Sequence, residues 1–238
     1  MIMVALALLS LQMPWKVDET LQAMRGAYSG LAAISGVLEE TIETDAGTSS
    51  AQWSFAARRP GTAVVTFVDE GKPVRRAYVH GDEYVLLQVE KGVALTGKGG
   101  PQVAASQAPG LNFFFFPERI GRRPGQLYEN VAVRWAGEEV TPAGRAAVLA
   151  WDVSHLAPSA SAEPGEPVIV ERRVQVRLFV STDTGLVLGQ WTRTDPGDGS
   201  PPSVRAWRVT DLRLDGQVDE TAFAFKIPAG YRVQPGAR

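Results

Sequence analysis

The chain contains no cysteine, which removes disulfides, thiolate metal sites, a cysteine nucleophile and lipid attachment at an N-terminal cysteine. Histidine is nearly as scarce. His80 and His155 are the only two, and neither has a second histidine at metal-ligand spacing, so no metal site is expected. A block of one charge sign is also missing. The net charge is −2, and the arginines come as scattered pairs (Arg58-Arg59, Arg75-Arg76, Arg122-Arg123, Arg172-Arg173), which argues against nucleic acid as a partner. The apolar stretch from Met1 to Met13 is too short for a bilayer-spanning helix, which takes about 20 residues. It fits the hydrophobic core of a secretory signal, although a basic start and an Ala-x-Ala cleavage site are absent. Residues 1–16 are therefore read as a signal-like segment and 17–238 as one domain. At 45% hydrophobic and 21% charged residues that domain has an ordinary globular composition, large enough to fold without a disulfide or metal staple.

What is present is mostly period two. One helix is expected first: Val17, Leu21, Met24, Tyr28 and Leu31 form a single apolar stripe, with Asp18 and Glu19 placed in its first turn. Strands are expected over Ile34–Ile42, Ser50–Arg58, Ala63–Val68, Arg75–His80, Glu83–Val89, Gln126–Trp135, Ala146–Val153, Val168–Val180, Leu186–Thr194 and Val204–Leu214. Gly81-Asp82 reads as a two-residue hairpin, and Glu138-Glu139 and Gly97-Lys98-Gly99-Gly100 read as turns. Many short strands separated by Gly, Pro and Asp indicate a barrel or sandwich. The run Phe113-Phe114-Phe115-Phe116, between Gly110 and Pro117, leaves no polar face in a helix or a strand. It reads as buried core or as an aromatic lid over an apolar cavity.

Catalytic signatures are missing where they would be legible. Ser154 and His155 are adjacent on a strand and point to opposite faces, so they form no dyad. There is no Gly-x-Ser-x-Gly elbow and no phosphate loop ending in Gly-Lys-Ser/Thr. No catalytic residue, metal or cofactor is assigned, and the protein is not expected to be an enzyme.

Four motifs in order resemble a known family. Phe55-Ala-Ala-Arg58-Arg59-Pro60-Gly61 looks like the aromatic-x-x-Arg-Pro junction of lipoprotein-carrier (LolA/LolB-like) proteins. Val79-His-Gly81-Asp-Glu-Tyr84 is similar to their early hairpin, with His80 and Asp82 departing from it. Thr182-Asp-Thr-Gly185-Leu-Val-Leu188 matches the turn before a late strand. Asp219-Glu-Thr-Ala-Phe223-Ala-Phe225-Lys-Ile-Pro228-Ala-Gly230-Tyr resembles their C-terminal ending. The resemblance implies a mainly β fold with some helix: an unclosed antiparallel half-barrel of eleven strands, an N-terminal helix, and a helical and aromatic lid over a hydrophobic cavity. It further implies a monomeric periplasmic carrier of lipid or acylated lipoprotein, with a membrane-bound donor or acceptor protein; an envelope-stress sensor on the same fold is the alternative. Such sensors usually carry a second C-terminal domain, and the end of this chain soon after Pro228 favours the carrier. Arg59 takes the position of the family's lid latch, and Gln102–Ile120, including Phe113 to Phe116, that of the lid. By alternation and bulk, the cavity lining is expected to be Trp53, Phe55, Phe67, Leu149, Trp151, Trp191, Trp207 and Phe223.

Overall fold

The computed structural model describes residues 14–120, 132–158 and 168–236; residues 1–13 of the signal-like segment lie outside them, and Pro14, Trp15 and Lys16 open the first helix instead. Helix α1 (Pro14–Gly30) buries Val17, Thr20, Met24 and Tyr28: three residues of the expected stripe, with Leu21 partly buried and Leu31 buried just past the helix end. It begins at Pro14, so Asp18 and Glu19 fall in its second turn. Six strands follow: β1 (Ala33–Thr44), β2 (Gly47–Arg58), β3 (Thr62–Asp69), β4 (Lys72–His80), β5 (Glu83–Gln88) and β6 (Val93–Lys98). Two short helices, α2 (Gly100–Gln107) and α3 (Leu111–Phe115), carry the chain across the sheet. Then come β7 (Arg134–Thr141), β8 (Gly144–Pro158), β9 (Ile169–Ser181), β10 (Val187–Asp195), β11 (Ser203–Leu214) and a short β12 (Arg232–Pro235).

All twelve strands form one sheet, in the order β12-β6-β5-β4-β3-β2-β1-β11-β10-β9-β8-β7. Neighbours are antiparallel except β12, which joins β6 in parallel. The two edge strands, β12 and β7, do not pair with each other, so the half-barrel is unclosed as expected. It has one strand more than the eleven implied, because the chain returns after its C-terminal loop to cover the β6 edge.

Two local readings are corrected. Gly97 and Lys98 end a strand instead of forming a flexible turn: a Cβ at Gly97 would lie 2.7 Å from the Tyr84 ring, and Lys98 pairs with Glu83 at 3.2 Å. Only Gly99 turns, with φ of 90° ahead of α2. Glu138 and Glu139 likewise lie inside β7, where their charges meet Arg145 and Arg177 on the neighbouring strands. The expected strand from Gln126 falls largely on residues outside the described set; within it, β7 starts at Arg134. The residues of α2 carry no apolar stripe, so only the resemblance, which implied a helical segment over Gln102–Ile120, pointed to a helix there.

The core lies between the inner face of the sheet and the layer formed by α1, α2 and α3. Met24, Tyr28, Leu38, Phe55, Val65, Leu111, Phe114, Leu149 and Val209 belong to it. Gly185 lets α1 approach the sheet, since a Cβ there would lie 2.7 Å from the Ala23 carbonyl oxygen. Asp215 accepts from the backbone N–H groups of Ala32 and Ala33 at 2.8 and 3.0 Å, fixing where α1 hands over to β1.

Candidate functional site

Register decides which side chains face inward. Gln88, Arg75, Phe67, Trp53, Leu38 and Val209 sit opposite one another in a single row across β5, β4, β3, β2, β1 and β11. A second row runs from Trp135 through Leu149, Leu178, Gln190, Trp207 and Glu40 to Ala51. Toward the helices the inner face is wholly apolar, with Ile34, Phe55, Ala57, Ala63, Val79, Val180 and Val187. Away from them it turns polar: Glu40, only 4% exposed, pairs with Arg205 at 2.5 Å, and Gln190 donates to Thr192 at 3.0 Å.

Of the eight residues expected to line a cavity, six lie on this face: Trp53, Phe55, Phe67, Leu149, Trp151 and Trp207. Trp191 and Phe223 do not. A register shift between Val187 and Gly189 sends Trp191 to the outer face, opposite Arg177 and Ala206. Bulges do this because one extra residue inverts every later side chain. Phe223 sits in a 3-10 turn of the C-terminal segment, which crosses the outside of the sheet. Its ring lies 4.9 Å from the Arg58 guanidinium, and Phe225 beyond it stacks on Tyr78 at 3.6 Å. Ser154 and His155 diverge as expected, Ser154 outward to Glu171.

The phenylalanine run forms α3 and the turn after it. Phe114 is completely buried, Phe113 meets Tyr28 at 5.9 Å and Phe115 meets Phe114 edge-on at 5.1 Å; Phe116 is half-buried beneath Arg119. Under this layer the space bounded by Tyr28, Phe55, Leu111, Trp207 and Val209 is only about 20 Å³, room for about one water. This part of the inner face, beneath α3, is therefore filled by side chains. A larger cleft of about 590 Å³ lies outside, where the β7–β8 turn overhangs Phe179, Leu188 and Trp191 beside the paired Glu39 and Arg208.

Arg59 reaches α3. Its guanidinium donates to the carbonyl oxygens of Tyr28 (2.8 Å), Ser29 (3.0 Å) and Leu31 (3.1 Å), and to that of Phe114 on α3 (2.5 Å). Tyr28 and Ser29 stand in the last turn of α1 and Leu31 directly after it, where carbonyls lack helical partners and positive charge is favourable. One planar fork thus ties the helix end, the β2–β3 junction and α3 together. Burial lowers the Arg59 pKa below its ordinary value, opposed by the negative charge of Glu118. A second tie was not legible in the sequence: Arg25 donates to the Ile120 carbonyl at 2.9 and 3.2 Å. Its only signal is a basic residue directly after the buried Met24.

Tyr28 anchors α1 to the sheet by accepting from the Val187 N–H at 3.2 Å. Burial pushes its phenol from 10.0 up to about 12, with that hydrogen bond acting in the opposite direction. The folded form thus holds the proton longer than the unfolded chain. The contribution is complete below pH 10 and is lost as pH rises towards 12, by about 3 kcal/mol at one pKa unit per 1.36 kcal/mol. Tyr28→Phe is expected to flatten this alkaline loss in urea denaturation followed from pH 9 to 12. An unchanged slope would show that Tyr28 does not control it.

These features define a class: an unclosed β half-barrel whose apolar inner face is roofed by a short helical layer pinned through arginine. That is the architecture the resemblance to lipoprotein carriers implied. No family model matches the sequence, and no curated protein matches it. Among solved structures, an uncharacterized conserved protein of Thermus thermophilus is 11% identical, with a TM-score of 0.51, over 93% of this chain and 99% of its own. The Mycobacterium tuberculosis lipoprotein LppX is 15% identical, with a TM-score of 0.47, over 86% of this chain and 97% of its own. A LolA superfamily protein of Nitrosomonas europaea is 9% identical, with a TM-score of 0.38, over 88% and 97%. Likenesses at such identities are of fold alone. Among the described residues no helix is long and apolar enough to cross a membrane, and no three His, Asp or Glu side chains converge as metal ligands.

Proposed function

We propose that this protein is a non-enzymatic, extracytoplasmic carrier that shelters the acyl chain of a lipid or acylated lipoprotein between membranes. The observation that carries the reading is the Arg59 fork, which ties α3 and its phenylalanines over an apolar inner face by a hydrogen bond to Phe114. No strand ladder binds α2 and α3 to the sheet. A sixteen-carbon chain represents roughly 10 kcal/mol or more of transfer free energy from water, so transit between membranes needs a container. Because the space beneath α3 is only about 20 Å³, loading requires α3 to lift, and the ligand then takes the place of the phenylalanines against Leu38, Phe55 and Trp207.

Native mass spectrometry of the full chain, purified gently from a lipid-containing host, together with uptake of a fluorescent fatty acid, tests this. Co-purified lipid is expected. Trp151→Glu on the inner face should weaken uptake about tenfold, the scale set by about 1.4 kcal/mol of lost burial. Trp191→Glu on the outer face should not. Loss confined to Trp191→Glu would move the site to the outer cleft. A clean unliganded mass with no uptake would replace the carrier with a regulatory binding module.

A further inference from the structure

Strand alternation splits Arg75 and Arg76 between the two faces. Arg76 points outward, and its Nε donates to the Thr66 hydroxyl at 3.2 Å. Arg75 points inward, opposite Phe67 on β3 and Gln88 on β5. Its guanidinium lies 5.6 Å from the Phe67 ring and 5.9 Å from the Trp53 ring, which themselves meet at 4.5 Å. The Arg75 Nε is buried and has no hydrogen-bond partner; the indole Nε1 of Trp53, whose side chain is only 7% exposed, has none either. No acidic side chain among the described residues pairs with Arg75, and Glu40, two residues beyond Leu38, is engaged by Arg205.

Indole and guanidinium can only donate. Folded proteins leave few buried N–H groups unpartnered, because each forfeits its hydration without return. Here two such donors sit beside each other where the apolar part of the inner face ends. Their complement is an oxygen acceptor carrying negative charge. We propose that Trp53 and Arg75 bind the carboxylate of a single-chain fatty acid whose tail runs along the inner face toward Phe114. The proposal rests on the inner face being a lipid compartment and adds the class of headgroup it selects. The geometry suits such a ligand: from Trp53 to Ala57, beneath the lid, β2 advances four residues, about 13 Å, and its inward side chains on the way are Phe55 and Ala57.

The test is a titration of the full chain with laurate and with methyl laurate, which share a tail and differ in charge. Wild type is expected to bind laurate about tenfold more tightly, the effect of one charge-assisted contact. Arg75→Gln should reduce that preference to about twofold or less and leave methyl laurate binding unchanged; Arg75→Lys should keep part of it, and Arg76→Gln all of it. If Arg75→Gln fails to fold, Trp53→Phe, which removes only the indole N–H, should still lower the preference about threefold. Equal binding of the two ligands by wild type, or a preference that survives Arg75→Gln, overturns the headgroup site alone. Binding of neither ligand overturns the lipid compartment and this site with it.

Discussion

Arg59→Ala is expected to lower stability by about 3 kcal/mol, the scale of losing hydrogen bonds to one charged donor, and to accelerate uptake of a fluorescent fatty acid. Four carbonyls lose their donor together: those of Tyr28, Ser29 and Leu31 at the end of α1, and that of Phe114. The contact between the guanidinium and the Phe114 ring, at 4.9 Å, goes with them. Arg59→Lys should recover only a minor part, because an ammonium is a point charge and cannot fork between the α1 end and α3. Stability is read by urea denaturation and uptake by stopped-flow fluorescence. The two readouts separate a latch from a brace. If stability falls and the uptake rate stays at the wild-type value, Arg59 holds the fold together and does not gate the compartment.

Phe114→Ala should destabilise the protein by about 3 to 4 kcal/mol, the usual cost of truncating a fully buried phenylalanine. Phe114 has no exposed surface, and the space beneath it is too small to absorb a collapse. Phe113, Phe115 and Phe116 are half-buried, so alanine at each should cost clearly less. A fatty acid present at a hundredfold excess over its Kd adds about 2.7 kcal/mol to a form that binds it. Under the carrier reading, ligand should therefore restore most of the stability lost in Phe114→Ala, because the new void lies where the acyl chain is placed. Urea midpoints with and without laurate measure this. A loss that ligand leaves untouched would mark Phe114 as ordinary core.

Much of this architecture was legible in advance because its signals are local. The stripe from Val17 to Leu31 requires a helix with one buried face, and α1 buries that face. Alternation in Trp53, Phe55 and Ala57 requires a strand with one apolar side, and all three lie in the core. The resemblance at the Phe55 to Gly61 junction singled out Arg59, whose guanidinium reaches the Phe114 carbonyl on α3. Where the reading failed, a non-local partner had overridden composition. Glu138 and Glu139 look like turn residues until Arg145 and Arg177 are set opposite them, and Gly97 looks like a loop until the Tyr84 ring fills the space beside it.

By itself, the sequence determined that this is a strand-rich chain with one leading helix, free of cysteine chemistry, carrying an aromatic segment and an Arg-Pro junction. Each of these is set by residue type and by spacing within a few positions. The tertiary structure decided which face each side chain joins. Trp191 was sent outside by a single register shift between Val187 and Gly189, and Phe223 by a C-terminal segment that crosses the outer surface. It also decided that Arg75 faces the interior while Arg76 faces water, and that Arg25 closes on Ile120. A strand's period of two fixes alternation but not phase. Phase comes from pairing with strands distant in sequence and from the helices that cover one side of the sheet.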